Sequence, residues 1–293
     1  MTYNTVSADY SAITTIGAHS IPCSNTVDLF NCSYVEDSVS AIDVFIANCK
    51  AINLIWGNSA SISPEFGRLL LLGYVSAVES FFRTVIRSII NTDAKAQSDA
   101  HSYVVPYGAV LYHTKSIVAD ALLEGISFAS EKEIKNALNK FLDVSNLPDD
   151  IKGILAEYEK ICQLRHCCVH RFGKLGSQNG IVLGLEKHSA ALEKPLSLDK
   201  KKLSDIASWL MSFAKTINNF MFRTLLERSV SEKNEYKIDW KWTYKNDRSN
   251  FDKLYKLFQT SKDANISPPA KELYERFRSA NQSRKRKDQT KNT

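Results

Sequence analysis

The 293-residue sequence contains no run of 18 uncharged apolar residues. Its longest candidate, Leu69 to Val78, stops at Glu79, so no transmembrane helix and no membrane partner are expected. Met1-Thr2-Tyr3-Asn4-Thr5 offers neither a basic start nor an apolar stretch, so a secretory signal is not expected and cytoplasmic is the default localisation. No C-x-x-C pair occurs among Cys23, Cys32, Cys49, Cys162, Cys167 and Cys168. In a cytosolic protein of this size such cysteines read as buried thiols, not as a disulfide frame or a zinc ribbon. H-E-x-x-H is missing as well, and no internal repeat is visible. Neither a metal nor another cofactor is expected.

What the chain does have is an ordinary folded composition, with 44% hydrophobic and 24% charged residues, which argues against disorder. Its length suits one large domain or two small ones. The charge is uneven. Residues 231–293 hold 16 basic and 9 acidic residues, whereas the preceding 230 hold 22 and 23. The whole basic excess therefore lies in the C-terminal part. Its last stretch, Arg284-Lys285-Arg286-Lys287, reads as a solvated and disordered run. Such a run is a solubilising tail, a weak electrostatic grip on a polyanion such as an RNA backbone, or a mimic of a nuclear signal.

Hydrophobic periodicity predicts a mainly α protein. Residues 1–35 read as an irregular segment with a β-like patch at Ala12–Ile16. Helices are expected over 37–55, 63–91, Val110–Leu123, 130–142, from Pro148 to about His170, over 201–228, and over 251–278 with a break at Pro268-Pro269. The helix at 63–91 has the clearest signature: Ser63 as N-cap, Pro64 in the first turn, and an apolar stripe from Phe66 to Ile89. Ser130 and Glu133 have the spacing of a capping box. Gly173, Gly176 and Gly180 mark a loop, with Ile181–Leu185 as a possible short strand. From Tyr236 to Tyr244 aromatic and apolar residues alternate with polar ones, the period of a strand or extended arm. That arm is either an edge strand covering the bundle or a surface on which bases stack. The domain division expected is 1–35 irregular, 36–230 helical bundle, and 231–293 a small β-containing basic C-terminal appendage with a disordered tail.

Functional groups are densest over Gln163-Leu164-Arg165-His166-Cys167-Cys168-Val169-His170-Arg171-Phe172-Gly173, at a predicted helix end. Three readings compete. The first is purely structural: Leu164, Cys168 and Val169 face the core, and the histidines are favoured by the helix dipole. The second is a metal site on Cys162, His166 and His170, one helical face apart; it lacks a fourth ligand, and Arg165 and Arg171 would repel a cation. The third is acid/base chemistry on a phosphate. Arg165 presents a planar fork that stays charged, and His170 exchanges a proton near neutral pH. Five residues on a helix is a rotation of roughly 140°, so the two side chains leave the axis in different directions. Two copies about a two-fold axis would supply two imidazoles and two guanidiniums. RNA suits such a site, because it carries its own nucleophile in the 2′-hydroxyl.

Arg165-x4-His170 on a late helix of an α-helical bundle resembles the R-x4–6-H motif of the HEPN superfamily, and Val169-His170-Arg171-Phe172-Gly173 is similar to the ending common there. His166 takes the place of the polar residue that often follows the motif arginine. Glu79, in Val78-Glu79-Ser80-Phe81-Phe82-Arg83, matches the acidic residue of an earlier long helix. The likeness covers about residues 60–228. It implies a four- to five-helix bundle that homodimerises to form a metal-independent endoribonuclease site, often in a toxin or antiviral defence effector with an antitoxin or defence partner. Arg165, His170, His166 and Glu79 are then the catalytic candidates, with Arg171, Lys174, Arg83 and Arg87 on the RNA backbone. Cys167 and Cys168 depart from the pattern and leave open a site sensitive to oxidation. Glu79 alternatively forms a plain surface ion pair with Arg83. The competing functional reading is a non-catalytic HEPN-like module that binds RNA, nucleotide or a partner protein.

Overall fold

A computed structural model describes residues 10, 13–17, 25–35, 39–112, 114 and 118–291, apart from the side chains of 284–291. Cys23, His19, His113 and parts of the expected Ala12–Ile16 patch and Val110–Leu123 helix lie outside the described residues. The chain divides into two compact units, Met1–Ser38 and Val39–Thr293. The described residues of the first hold a 3-10 turn at Thr26–Leu29 and no strand.

The second unit is built from helices: among the described residues there are twelve α-helices and no strand. They are α1 (Ala41–Trp56), α2 (Pro64–Thr92), α3 (Ala94–Ala100), α4 (Tyr107–Tyr112), α5 (Val118–Ala121) and α6 (Glu131–Leu142). There follow α7 (Asp149–Arg171), α8 (Ser177–Leu183), α9 (Leu185–His188), α10 (Lys200–Val230), α11 (Tyr244–Tyr255) and α12 (Ala270–Lys291). Two of the ends follow the capping rules directly. The Ser63 hydroxyl accepts the Phe66 N–H at 3.2 Å with Pro64 in the first turn of α2, and the Asp199 carboxylate accepts the Lys202 N–H at 2.9 Å to start α10. The capping box expected at α6 does not form. Ser130 makes no side-chain cap; Glu159 of α7 accepts the Glu131 N–H at 2.8 Å instead, putting a carboxylate at the positive end of α6.

α2 is the central element, packed against α1, α3, α5, α6, α7 and α10. By length and composition it is apolar enough to cross a bilayer, and more than half of its most apolar window is buried inside the bundle. Its stripe supplies Leu71, Val75, Val78, Phe82, Val85, Ile86 and Ile89, which are sealed from solvent. Phe82 stacks on Phe128 at 5.5 Å, and Tyr158 of α7 stacks on Phe213 of α10 at 4.5 Å. Phe82 also meets Phe213 at 6.1 Å, so these rings tie α2, α7 and α10, the three longest helices, together. At Gly67 the α2 backbone comes so close to the segment before α10 that a Cβ would stand 2.5 Å from the Leu198 carbonyl oxygen.

Three expectations are corrected. The helix predicted over Val110–Leu123 is two short ones, of which α5 docks through Ala119 and Ala121 and the Asp120–Arg87 ion pair, while no α4 residue is buried. The strand predicted at Ile181–Leu185 is instead the end of α8, a break at Gly184 and the start of α9. The β-containing appendage is likewise not present as a sheet. The β-type pairings among the described residues are two isolated bridges, Lys174–Pro195 and Leu175–Leu192.

Residues 238–244 nevertheless keep their alternation, while Tyr236 departs from it and is exposed. Ile238, Trp240, Trp242 and Tyr244 turn inward, and Lys237, Asp239, Lys241 and Thr243 outward. Their backbone donors go elsewhere than to a ladder: Ile238 N–H to the Ser229 carbonyl at 2.8 Å, and Lys241 N–H to the Asp247 carboxylate at 2.8 Å. Trp240 is buried against Phe277 of α12, 5.1 Å between rings, with its indole N–H donated to Ser229 at 3.1 Å. The aromatic face thus covers protein. Helix α12 continues to Lys291, through the basic run expected to be disordered, and the compact unit takes in the whole of 231–293.

Candidate active site

The end of α7 is fixed from beneath. Phe172 takes a left-handed conformation (φ +51°) and Gly173 follows at φ +93°, its N–H returning to the Cys167 carbonyl at 2.9 Å. This is the glycine-containing helix stop that the sequence implied. A second reason for glycine comes from α2. A Cβ at residue 173 would overlap Cδ of Arg68, a buried side chain that runs under the turn. The Arg68 guanidinium donates to the Leu196 carbonyl at 2.9 Å and to Glu65 at 3.0 Å, and lies 5.5 Å from the Phe172 ring. Leu196 N–H in turn bonds the Gly173 carbonyl at 2.9 Å. One buried cation thereby pins the turn after His170 to the bundle.

One turn and a half earlier, Arg165 meets Glu79. The Arg165 guanidinium stands 3.9 Å from Glu79 Oε1, an ion pair too long to be a hydrogen bond. Each side chain is about a quarter exposed, and Glu79 Oε1 is buried with no hydrogen-bond partner. The surface pair of Glu79 with Arg83 is not formed. Arg83 donates instead to the carbonyls of Leu123 and Ile126, the latter at 3.2 Å, and covers the Phe128 ring. Arg87 binds Asp120 at 2.7 Å. Both arginines therefore hold the α5 segment onto α2 and do not present themselves as cations for a phosphate chain.

His166 and His170 share the neighbouring stripe of α7, with ring centroids 6.3 Å apart. His166 is half-buried and His170 exposed. Burial, reinforced by the adjacent Arg165 and by His170 and opposed by Glu159, pushes the His166 imidazole below its usual pKa. It is therefore neutral, and able to accept a proton, at pH 7. Further back on the same stripe, Gln163 donates to Glu159 at 2.5 Å and accepts from Asn179 of α8 at 2.8 Å. This amide chain sets the position of α8 against α7. Arg171 is clamped by both Glu193 oxygens at 2.8 and 2.7 Å and stabilises the following loop, whereas the exposed Lys174 side chain has no partner among the described residues. Val169 on α7, Phe172 just after it, and Ile181 and Val182 on α8 are large apolar side chains left exposed.

The three-ligand metal reading finds no geometry. Cys162 is fully buried while His170 faces solvent, and among the described residues no three His, Cys, Asp or Glu side chains converge. The suggestion of an oxidation-sensitive site also weakens. Cys167 and Cys168 are buried, and burial pushes both thiols up, that of Cys168 to about 11. Cys162 is raised further for the same reason. A protonated, shielded thiol is a poor nucleophile and a poor target for oxidants.

The structure thus pairs Glu79 with Arg165 and His166 with His170 on neighbouring stripes of α7, and engages Arg83, Arg87 and Arg171 as structural cations. Sequence reasoning missed Arg68 and Glu159. An arginine beside a glycine inside an otherwise apolar helix, Gly67-Arg68, was the available signal for the first. Nothing local marks the second, because it acts on another helix. No protein-family model, no curated protein and no solved structure matches this chain.

Proposed function

We propose that this chain is a metal-independent endoribonuclease of HEPN type, acting as a homodimer in which Arg165 and His170 of two copies meet at one scissile phosphate. The observation that carries the reading is the state of Arg165: a charged guanidinium held by Glu79 at ion-pair distance, with no hydrogen bond of its own among the described residues, on the same helix as two imidazoles that likewise have none there. A neutral imidazole takes the proton of the RNA 2′-hydroxyl. The 2′-oxygen attacks the adjacent phosphorus, the bond from phosphorus to the 5′-oxygen breaks, and a protonated imidazole returns a proton to the leaving oxygen. The products are a 2′,3′-cyclic phosphate and a 5′-hydroxyl. Arg165 stabilises the charge on the crowded phosphorane, and Glu79 keeps that guanidinium oriented.

The second copy enters for a geometric reason. Arg165 and His170 leave α7 roughly 140° apart, so one helix does not aim both at one atom. Two helix ends face to face do, and the exposed Val169, Phe172, Ile181 and Val182 give them an apolar collar to bury. Lys174 stands ready for an adjacent phosphate. The biological setting that suits such an activity is a toxin or defence effector under control of a partner. The test is incubation of purified protein with single-stranded RNA in EDTA. His170→Ala and Arg165→Ala should each lower cleavage by about a hundredfold or more, with circular dichroism unchanged. A metal requirement would overturn the mechanism. RNA binding that falls steeply with salt, without any shortening of the RNA, would establish the non-catalytic alternative.

A further inference from the structure

Away from α7, a cavity of about 640 Å³ opens between α10 and α12. Its volume lies within the range of small-molecule sites. On α10 its lining runs from Asn219 to Val230, about 16 Å of helix, so it is a track more than a round pocket. Phe222 and Leu226 stand on the α10 wall, Leu273 and Phe277 on the α12 wall. Tyr255 and Phe258, both buried, back the Phe222 end at 6.0 and 5.5 Å between rings. Val230 and Asn281 line this cavity and also the next one, beside Trp240 and Trp242, so the apolar track continues past the end of α10.

The rings are not arranged for a flat guest. Phe222 is inclined 71° and Phe277 35° to Phe251, so the two cannot be parallel to each other. Phe222 also meets Tyr255 at 52° and Phe258 at 40°. Tilted edges and faces make an uneven apolar lining, which a flexible chain follows by bending and a rigid plane does not. Beside this lining stands one uncommitted cation. Arg223 is exposed and has no hydrogen bond or ion pair among the described residues, and neither has Asn219, one turn before it. Arg276 of α12 is engaged by Glu272 at 2.6 Å. Glu227 is shared with a second cavity and is exposed, which keeps its carboxylate in water. The part of the chain that supplies the α12 wall carries the whole basic excess, a field that favours an anion.

We infer that the α10–α12 cavity binds a medium-chain fatty acid, its carboxylate on Arg223 and its alkyl chain along Leu226, Phe277, Val230 and Ala280. The combination of groups selects this class. A planar heterocycle finds no parallel pair of rings. A small anion would use Arg223 and leave the apolar walls in water. An uncharged chain would fill the walls and leave Arg223 and Asn219 without a partner. A carboxylate matches the planar fork of a guanidinium, and each methylene buried behind it adds affinity. The site shares no residue with the histidine cluster and does not depend on whether the chain cleaves RNA.

Isothermal titration of the full chain tests it, with octanoate, decanoate and dodecanoate as probes and dodecanol, acetate and adenosine 5′-monophosphate as comparators. One dodecanoate should bind per chain, with Kd below about 100 µM. From octanoate to dodecanoate the affinity should rise by about twofold to fourfold per methylene. Arg223→Ala should weaken dodecanoate binding by about tenfold or more, and Arg223→Lys should weaken it less. Ala280→Trp, at an exposed position on the lining, should fill the track and weaken all three probes. The Arg165→Ala/His170→Ala double variant should bind as the parent does. Unchanged melting temperatures of the unliganded variants will establish that they are folded. The inference is overturned by no dodecanoate binding at about 1 mM, by affinity indifferent to Arg223 or to chain length, or by dodecanol bound as tightly as dodecanoate. Preference for adenosine 5′-monophosphate, or binding lost with Arg165 and His170, overturns it equally.

Discussion

Gly173 shows how one residue can be constrained twice. Its φ of +93° belongs to a region that L side chains avoid, and Arg68 occupies the space a Cβ would need. Gly173→Ala should therefore destabilise the fold by about 2 kcal/mol, measured as a shift of the urea midpoint at constant slope. The first constraint was legible in the sequence, since a glycine just after a helix that ends in His and Arg is a stop signal. The second was not, because Arg68 lies more than a hundred residues upstream and reaches the turn only through the packing of α2 on α7. Glu79 has a similar history. Its place on a long helix was readable, but two arginines were available to it, and Arg83 was drawn away by the carbonyls of Leu123 and Ile126.

Among the elements, the connection between α1 and the segment ahead of α12 rests on Asp43. Burial alone would raise the pKa of its carboxyl. Hydrogen bonds from Thr260 at 2.5 Å, from Ser261 N–H and hydroxyl at 3.0 and 2.8 Å, and from Lys262 N–H at 3.2 Å outweigh that and hold it below the usual carboxylate range. Asp43→Ala removes the acceptor for two backbone N–H groups at once. We expect a loss of about 3 kcal/mol, with faster hydrogen exchange confined to residues 260–263 and not spread through α2. Sequence alone placed Asp43 inside a helix expected over 37–55 and gave no hint of this latch. The arm at 236–244 shows the opposite. Period-two patterning correctly identified the face that is buried, and failed to say what the backbone does. Alternation is satisfied by any extended chain lying on an apolar surface; a ladder also needs a neighbouring chain with open donors and acceptors, and Ser229 and Asp247 had already taken those of the arm.

For the molecule as a whole, the proposed site requires two copies, and this gives a test independent of either single substitution. A mixture of the Arg165→Ala and His170→Ala proteins, each inactive, should recover part of the RNA cleavage of the parent after exchange of subunits, because the mixed dimer again contains one intact arginine and one intact histidine. Activity that stays absent after exchange, with mixed dimers detected by native mass spectrometry, would reject the shared site. The periodicity and caps of the sequence by themselves determined that this is a helical protein, where α2, α7 and α10 begin and end, and that ionisable side chains are dense at the end of α7, since each of these depends on residues a few positions apart. Only the tertiary structure decided which charges are partners, which thiols are sealed, and that Glu79 faces Arg165. Those outcomes turn on which surfaces distant segments bring together as they exclude water, and no local pattern encodes that choice.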